Sequence, residues 1–245
     1  MSTLLQIKNL KVIAGAKKII NNLSLIIKAG ETHVIMGPNG SGKSTLVQTI
    51  MGHHSYTLEH GSVWLNNKKI NNLPPERRAS AGLFLAFQNP QSLSGVPILS
   101  FLHLAYNNLN SKKINPDQLQ KILKPILINL NLNSEFLARS VNDNFSGGEK
   151  KKLEVLQLLL FKPILAMLDE TDSGLDLDAL KSVAQGIKKL RDKTRGFLVI
   201  THYQRLLDYL KPDYVHIMIE GQIVASGGME LVKKIDKYGY NHFKS

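Results

Sequence analysis

Gly37-Pro38-Asn39-Gly40-Ser41-Gly42-Lys43-Ser44 decides the fold, because it fits the spacing of a glycine-rich loop that cradles phosphates between a strand and a helix. The apolar run His33–Met36 leads into it as a strand, and Gly42–Met51 leaves it with helical spacing. The glycines let the backbone curl until successive N–H groups point at phosphate oxygens, and the following helix adds the positive end of its dipole. In that pattern the Lys43 ammonium reaches the outer phosphates, the Ser44 hydroxyl ligates Mg2+, and Thr45 stands by the innermost phosphate.

Ahead of the loop, Leu4–Val12 and Leu23–Ile27 read as strands, with a turn at Ala29-Gly30-Glu31. Beyond it come a strand around Ser62–Leu65 and a short buried strand at Gly82–Phe87. A helix over Glu149–Phe161, a strand at Ile164–Leu168, a helix over Ala179–Arg191 and a strand at Phe197–Ile200 follow. This alternation predicts a parallel sheet with helices on both faces and ligands at the carboxyl ends of its strands. Between Gln88 and Asn144 the composition shifts to Asn, Lys, Leu and Ile, punctuated by Pro90, Pro97, Pro116 and Pro125, which predicts a mostly helical insert. A hairpin from Val215 to Val224, turning at Glu220-Gly221, and a terminal helix close the chain.

Ile164-Leu165-Ala166-Met167-Leu168-Asp169-Glu170 is an apolar strand ending in two acids. Beside a phosphate loop, Asp169 holds Mg2+ and Glu170 orients and polarises a water; alone, such an ending is as often a solvated strand exit. Phe145-Ser146-Gly147-Gly148-Glu149 sets a capping serine and two bare glycines at the start of a long helix, a second anion-binding N-terminus. By itself this segment reads first as an ordinary capped helix.

With Gln88 after the strand Gly82–Phe87, Ser173-Gly174-Leu175-Asp176, and His202 directly after Phe197–Thr201, these segments stand in the order of the ABC ATPase family, which the chain resembles. The resemblance implies an α/β P-loop NTPase core, residues 1–87 and 145–245, with an N-terminal antiparallel β subdomain, and an inserted α-helical subdomain at 88–144. It implies ATP and Mg2+ as ligands and hydrolysis of ATP to ADP and phosphate. Gly37, Pro38, Asn39, Gly40, Ser41, Gly42, Lys43, Ser44 and Thr45 then bind the nucleotide. Ser146, Gly147 and Gly148 close on the ATP of a second copy paired head to tail, and Ser173–Asp176 touches that copy's site. Gln88, Glu170 and His202 take the catalytic roles, and Ser44, Gln88 and Asp169 the metal. In one departure, the aromatic residue that many relatives stack on adenine is replaced by Val12-Ile13-Ala14-Gly15, so stacking is weak or replaced by apolar contact.

Within the family, Thr171 stands where proline is commoner after the glutamate. Phe84-Leu85-Ala86-Phe87-Gln88-Asn89-Pro90 and the stretch from Thr201 to His216 are similar to the soluble ATPase subunits of the Suf iron–sulfur cluster assembly machine. That implies scaffold partners similar to SufB and SufD, with this subunit supplying ATP-driven movement. The alternative is the ATPase subunit of a membrane transporter.

The sequence has no cysteine, so no thiolate of its own can ligate a cluster. Its 31 Lys and Arg against 19 Asp and Glu give a formal charge of +12, but the basic residues form short pairs such as Lys17-Lys18 without interleaved aromatics, which speaks against nucleic acid. No apolar run approaches the roughly 20 residues of a membrane span. The start, Met1–Val12, lacks a signal-peptide pattern, and a cytoplasmic protein is expected. Leu93, Val96, Ile98, Leu99 and Phe101 exceed what a small helical subdomain needs, so the segment from Gln88 to Tyr106 is expected to dock a partner, the alternative being that they form the subdomain's own core. Lys150, Lys151 and Lys152 occupy a first helical turn that disfavours cations, which reads equally as a solvated face or as the expectation that Lys151 or Lys152 pairs with Glu170 while the subunit is alone.

Overall fold

The structure is a computed structural model that describes residues 2–170, 177–202 and 204–243. The chain runs β1 (Thr3–Ala14), β2 (Lys17–Lys28), β3 (Thr32–Met36), α1 (Lys43–Met51), β4 (Thr57–Leu65), β5 (Lys68–Lys69), α2 (Pro75–Ser80) and β6 (Leu83–Ala86). It continues through β7 (Leu93–Pro97), α3 (Ile98–Leu109), α4 (Pro116–Asn129), β8 (Ser140–Val141) and α5 (Gly147–Phe161). The remainder is β9 (Leu165–Asp169), α6 (Leu177–Leu190), β10 (Gly196–Ile200), α7 (Gln204–Leu210), β11 (Tyr214–Ile219), β12 (Gln222–Gly227) and α8 (Glu230–Tyr238). Two compact units result: Met1–Phe87 with Ile164–Ser173 and Arg191–Ser245, and Gln88–Pro163 with Gly174–Leu190.

The first unit holds a six-stranded sheet in the order β12-β11-β3-β10-β9-β6 and a four-stranded sheet in the order β2-β1-β4-β5. The larger sheet is parallel except for β12, which returns antiparallel along β11. Every residue of β3, β9 and β10 is buried, which is why these strands read as unbroken apolar runs. The smaller sheet is antiparallel throughout, and β2 alternates along most of its length between buried and solvent-facing residues. Leu5, Ile7, Ile27, Ile50, Met167 and Leu198 belong to the core the two sheets share.

Helix α1 is held from behind by Arg78 of α2. This buried guanidinium donates to the carbonyls of Thr49 (2.9 Å) and Ile50 (2.8 Å) at the end of α1, and to those of Leu73 and Asn71 (2.7 Å each). A cation at a helix C-terminus meets the negative end of the dipole, and its donors satisfy carbonyls that the helix leaves over. Neither α2 nor α7 is expected from sequence, because both are too short for a clear period.

Two buried histidines bridge β3, β11 and β12. His33 Nδ1 and His216 Nε2 share a hydrogen bond of 2.9 Å; His216 Nδ1 meets Ser226 Oγ at 2.7 Å and His33 Nε2 meets Glu31 Oε2 at 3.0 Å. Tyr214 packs on His33, and Asp213, itself paired with Arg191, lies nearby. Burial pushes the His33 pKa down against the pull of Glu31 and Asp213. Burial, then the charge of His33, lowers that of His216 to about 4.

The second unit is less purely helical than its sequence suggests. β7 and β8 form an antiparallel ribbon, with Leu93 opposite Val141 and Pro97 opposite Ser140. Helix α4 starts at Asn115, whose side chain and that of Gln118 form a reciprocal cap, and it runs on through Pro125. Leu119, Leu123 and Leu127, four residues apart, give it the buried stripe that offsets the proline. Gly186 brings α6 against α5, since a Cβ there would lie 2.7 Å from Val155 Cγ1. Of the apolar residues expected to dock a partner, Ile98 is core while Leu93 and Val96 face solvent. Among the described residues no helix is long and apolar enough to cross a membrane.

Arg78→Met should destabilise the protein by about 3 kcal/mol, since buried carbonyls lose charged donors; a urea denaturation midpoint measures this. The histidine pair predicts acid sensitivity. Its folded pKa values lie below the unfolded value, so the unfolded chain takes up protons first and stability falls as pH drops from about 6.5 towards about 4. His216→Gln should flatten the thermal midpoint against pH over that window.

Candidate active site

β3 ends at Met36 and the chain turns at once. A Cβ on Gly37 would stand 2.0 Å from the carbonyl oxygen of Met218 on β11, so only glycine lets the loop leave here. The turn is closed by Gly221 N–H donating to the Ser41 carbonyl at 2.9 Å. Gly42, at φ 102, opens α1 without any side-chain cap, and the first helical bond is Leu46 N–H to Gly42 O. The N–H groups at the start of α1 are thus left to an outside acceptor. Ser41 Oγ is buried with no hydrogen-bond partner among the described residues. Both features suit phosphate.

Lys43 is buried; its Nζ donates to the carbonyls of Gly37 (2.9 Å) and Pro38 (3.1 Å) and lies 3.9 Å from Glu170 Oε1. Burial pushes its pKa down, opposed by the charges of Glu170 and Asp169. Ser44 Oγ donates to Asp169 Oδ1 at 2.9 Å, a hydroxyl and a carboxylate side by side, which is a hard oxygen set that suits Mg2+. Glu170 sits one residue past β9 with φ 44, a conformation few residues other than glycine adopt, and its N–H donates to Ile200 O at 3.0 Å. Such strain costs about 1–3 kcal/mol and persists where the surroundings impose it. His202, two residues past β10, places Nε2 3.0 Å from Glu170 Oε1. Lys43, Ser44, Asp169, Glu170 and His202 therefore converge in the first unit.

Ser146, Gly147, Gly148 and Gln88 belong to the second unit. Ser146 caps α5: its Oγ accepts from Glu149 N–H at 3.2 Å, while Glu149 Oε2 accepts from Ser146 N–H at 2.9 Å. Among the described residues a Cβ on Gly147 or Gly148 would meet nothing within 4 Å, so the turn leaves room for a close approach. Arg139 forms an ion pair with Glu149, and first Arg139, then the Ser146 N–H, hold the Glu149 carboxyl below its usual range. Gln88 is exposed, two residues past β6. Ser173–Asp176 lies outside the described residues.

The expected pairing of Lys151 or Lys152 with Glu170 joins residues of different units, and each has partners within its own. Lys151 is buried and donates to Glu154 at 2.8 Å, Lys152 reaches towards the Asn131 carbonyl at 3.5 Å, and Glu170 is engaged by His202 and Lys43. An acid one turn along the same helix answers the dipole penalty locally. Sequence reading also passes over Arg139, which no spacing separates from the other basic residues, and Ile19, whose Cγ2 lies 3.6 Å from where a Gly42 Cβ would stand. Ile19 puts an apolar side chain beside the loop, while Ile13 and Ala14 are only half-buried on β1.

A family model described as ABC transporter matches residues 20–173. The chain is 49% identical over 243 residues to "Probable ATP-dependent transporter ycf16" of Antithamnion sp., covering 98% of this chain and 97% of the relative. It is 46% identical over 241 residues to "Probable ATP-dependent transporter SufC" of Escherichia coli, covering 97% of each. The solved ATP-binding cassette MJ1267 superposes with a TM-score of 0.80 at 28% identity, covering all of both chains. The dimeric post-hydrolysis state of the cassette MJ0796, bound to ADP and Pi, superposes with a TM-score of 0.80 at 22% identity, covering 92% of this chain and 99% of that one. With the cassette fold, the phosphate loop and these full-length relatives together, the chain belongs to the ABC transporter family as one of its ATP-binding cassettes.

Proposed function

We propose that the chain binds ATP with Mg2+ on the Gly37–Thr45 loop, hydrolyses it to ADP and phosphate in a head-to-tail pair of copies, and so moves a SufB- and SufD-like scaffold that assembles iron–sulfur clusters. The reading is carried by the convergence of Lys43, Ser44, Asp169, Glu170 and His202 at the carboxyl ends of β3, β9 and β10, the edge at which open α/β sheets take their ligands. Lys43 and the uncapped N–H groups of α1 bind the outer phosphates. Ser44 and Asp169, with Gln88, hold Mg2+, which when bound neutralises phosphate charge. Glu170 accepts a proton from water as the water oxygen bonds to the γ-phosphorus; the bond from that phosphorus to the bridging oxygen breaks, and the bridging oxygen leaves with ADP. His202 holds Glu170 through Oε1 and faces the γ-phosphate. Ser146, Gly147 and Gly148 of the second copy complete the phosphate shell, and Ser173–Asp176 touches the neighbouring site.

The scaffold half of the reading is supported by the 46% identity to a relative named SufC. The same relatives are named ATP-dependent transporters, which favours the second reading, a membrane transporter's ATPase subunit. A catalytic core of 1–87 and 145–245, an insert of 88–144 that docks the partner through exposed Leu93 and Val96, and a cytoplasmic location belong to the same proposal.

Glu170→Gln should still bind MgATP but hydrolyse it at least ~100-fold more slowly, the scale of a lost positioned base. Phosphate release and size-exclusion chromatography with ATP read the rate and the accumulated pair; near-parental turnover removes Glu170 from this role. Affinity capture of the tagged chain from native cytosol should bring down scaffold proteins with iron, and capture with membrane proteins instead would install the transporter reading. Substituting both Leu93 and Val96 with Asp should abolish that capture while nucleotide affinity stays within about twofold, a difference of about 0.4 kcal/mol.

A further inference from the structure

We infer that Arg139 is a positioning residue for the Ser146-Gly147-Gly148 turn: by gripping Glu149 it fixes the serine hydroxyl and the helix N–H groups that meet the nucleotide held by another copy. The inference rests on the head-to-tail reading above and adds to it a residue outside the turn.

Three observations within the second unit carry it. The Arg139 guanidinium carbon lies 4.2 Å from the centroid of the Phe145 ring and 5.9 Å from that of Phe136. The two rings are buried and pack on each other with centroids 5.2 Å apart. A guanidinium over aromatic rings is held by its face and keeps its in-plane N–H donors for a carboxylate. That carboxylate is Glu149, which divides its oxygens: Oε1 takes Arg139, and Oε2 takes the Ser146 N–H at 2.9 Å. The rotamer of Glu149, and with it the reciprocal cap of α5, is therefore set by Arg139. An exposed ion pair by itself contributes little, but here one partner is stacked and the other is part of the turn.

The backbone of Arg139 is tied to the segment that begins at Gln88. Its carbonyl accepts from Ile98 N–H at 2.9 Å, at the start of α3. The next residues form β8 against β7, with Gly95 N–H on Ser140 Oγ at 3.1 Å. Asn142 Nδ2 donates to Gln91 O at 3.0 Å and Ser92 Oγ to Asn142 O at 2.8 Å. A displacement of the ribbon between Gln91 and Pro97 is thus passed through Arg139 to Glu149 and Ser146. A partner docked on the exposed residues of β7 would reach the turn by this path.

The test uses full-length mixed pairs in which one copy carries Lys43→Ala, so that a single working phosphate loop remains and is completed by the turn of the Lys43→Ala copy. Arg139→Met keeps length and apolar cover but removes the donors. Placed on the Lys43→Ala copy it should lower phosphate release about 10- to 100-fold, the scale of a misplaced transition-state contact. That loss should be at least tenfold larger than when the substitution sits on the other copy, and MgATP affinity of the single subunit should stay within twofold. A residue that merely stabilises its own unit predicts equal losses in both placements, and that result overturns the inference alone. Failure of Glu170→Gln to form any ATP-dependent pair overturns the pairing reading and this inference with it. Should Arg139→Met not fold, Arg139→Lys, which keeps the charge without the planar fork, should show the same asymmetry at about threefold to tenfold, and equal losses there overturn the inference in the same way.

Discussion

A loop that binds phosphate through its backbone must keep that backbone free of side-chain partners and still hold it rigid. Between Gly37 and Gly42 the rigidity comes from the sheet. The Met218 carbonyl occupies the space a side chain at 37 would need, and the Gly221 N–H closes on the Ser41 carbonyl, so β11 and its turn into β12 form the mould against which the loop is cast. From the other end, Arg78 fixes the last carbonyls of α1. Both ends of the short helix are thereby anchored on backbone, and its first-turn donors remain for a ligand.

The same sheet explains why the acids stand where they do. A strand as buried as β9 has no solvated position along its length, so its polar residues gather at the exit: Asp169 at the last strand position and Glu170 just past it. Ser44 satisfies Asp169, whereas Glu170 is turned by its left-handed backbone towards His202 at the end of the neighbouring strand. Lys43 lies 3.9 Å from the Glu170 carboxylate and is buried. Few waters screen that charge, so its attraction to phosphate is stronger than that of a surface lysine.

The sequence shows what is governed by local chemistry or by strict burial. The loop from Gly37 to Ser44, the unbroken apolar runs of β3, β9 and β10, and the hairpin at Glu220-Gly221 are of this kind, and all appear where the residues place them. What it conceals is set by partners distant in the chain. β7 has no alternation, because all five of its residues are exposed and only β8, more than 40 residues on, makes it a strand. Pro125 looks like a terminus, but the leucine stripe of α4 offsets its missing N–H. The lysines after Glu149 look like free cations, yet Lys151 finds its acid three residues along at Glu154. His33 and His216 are 183 residues apart, so nothing local announces that they share a hydrogen bond.

The starts of α1 and α5, the two helix N-termini proposed to meet phosphate, differ in a way that fits different duties. Helix α1 has no side-chain cap, so an anion there competes with water alone. Helix α5 satisfies its own start: Ser146 Oγ already accepts from Glu149 N–H, at a long 3.2 Å, and Glu149 returns the bond. The cap takes up the Ser146 and Glu149 N–H groups and one acceptor site of the hydroxyl, so on the proposed reading the Ser146 O–H and the N–H groups of Gly147 and Gly148 are what a phosphate meets. On that reading a subunit takes nucleotide on α1 by itself and offers α5 to the nucleotide of another copy. The open glycines at 147 and 148 lower the steric cost of that approach. The cap holds α5 in order until then, so the second contact adds little ordering entropy when it forms.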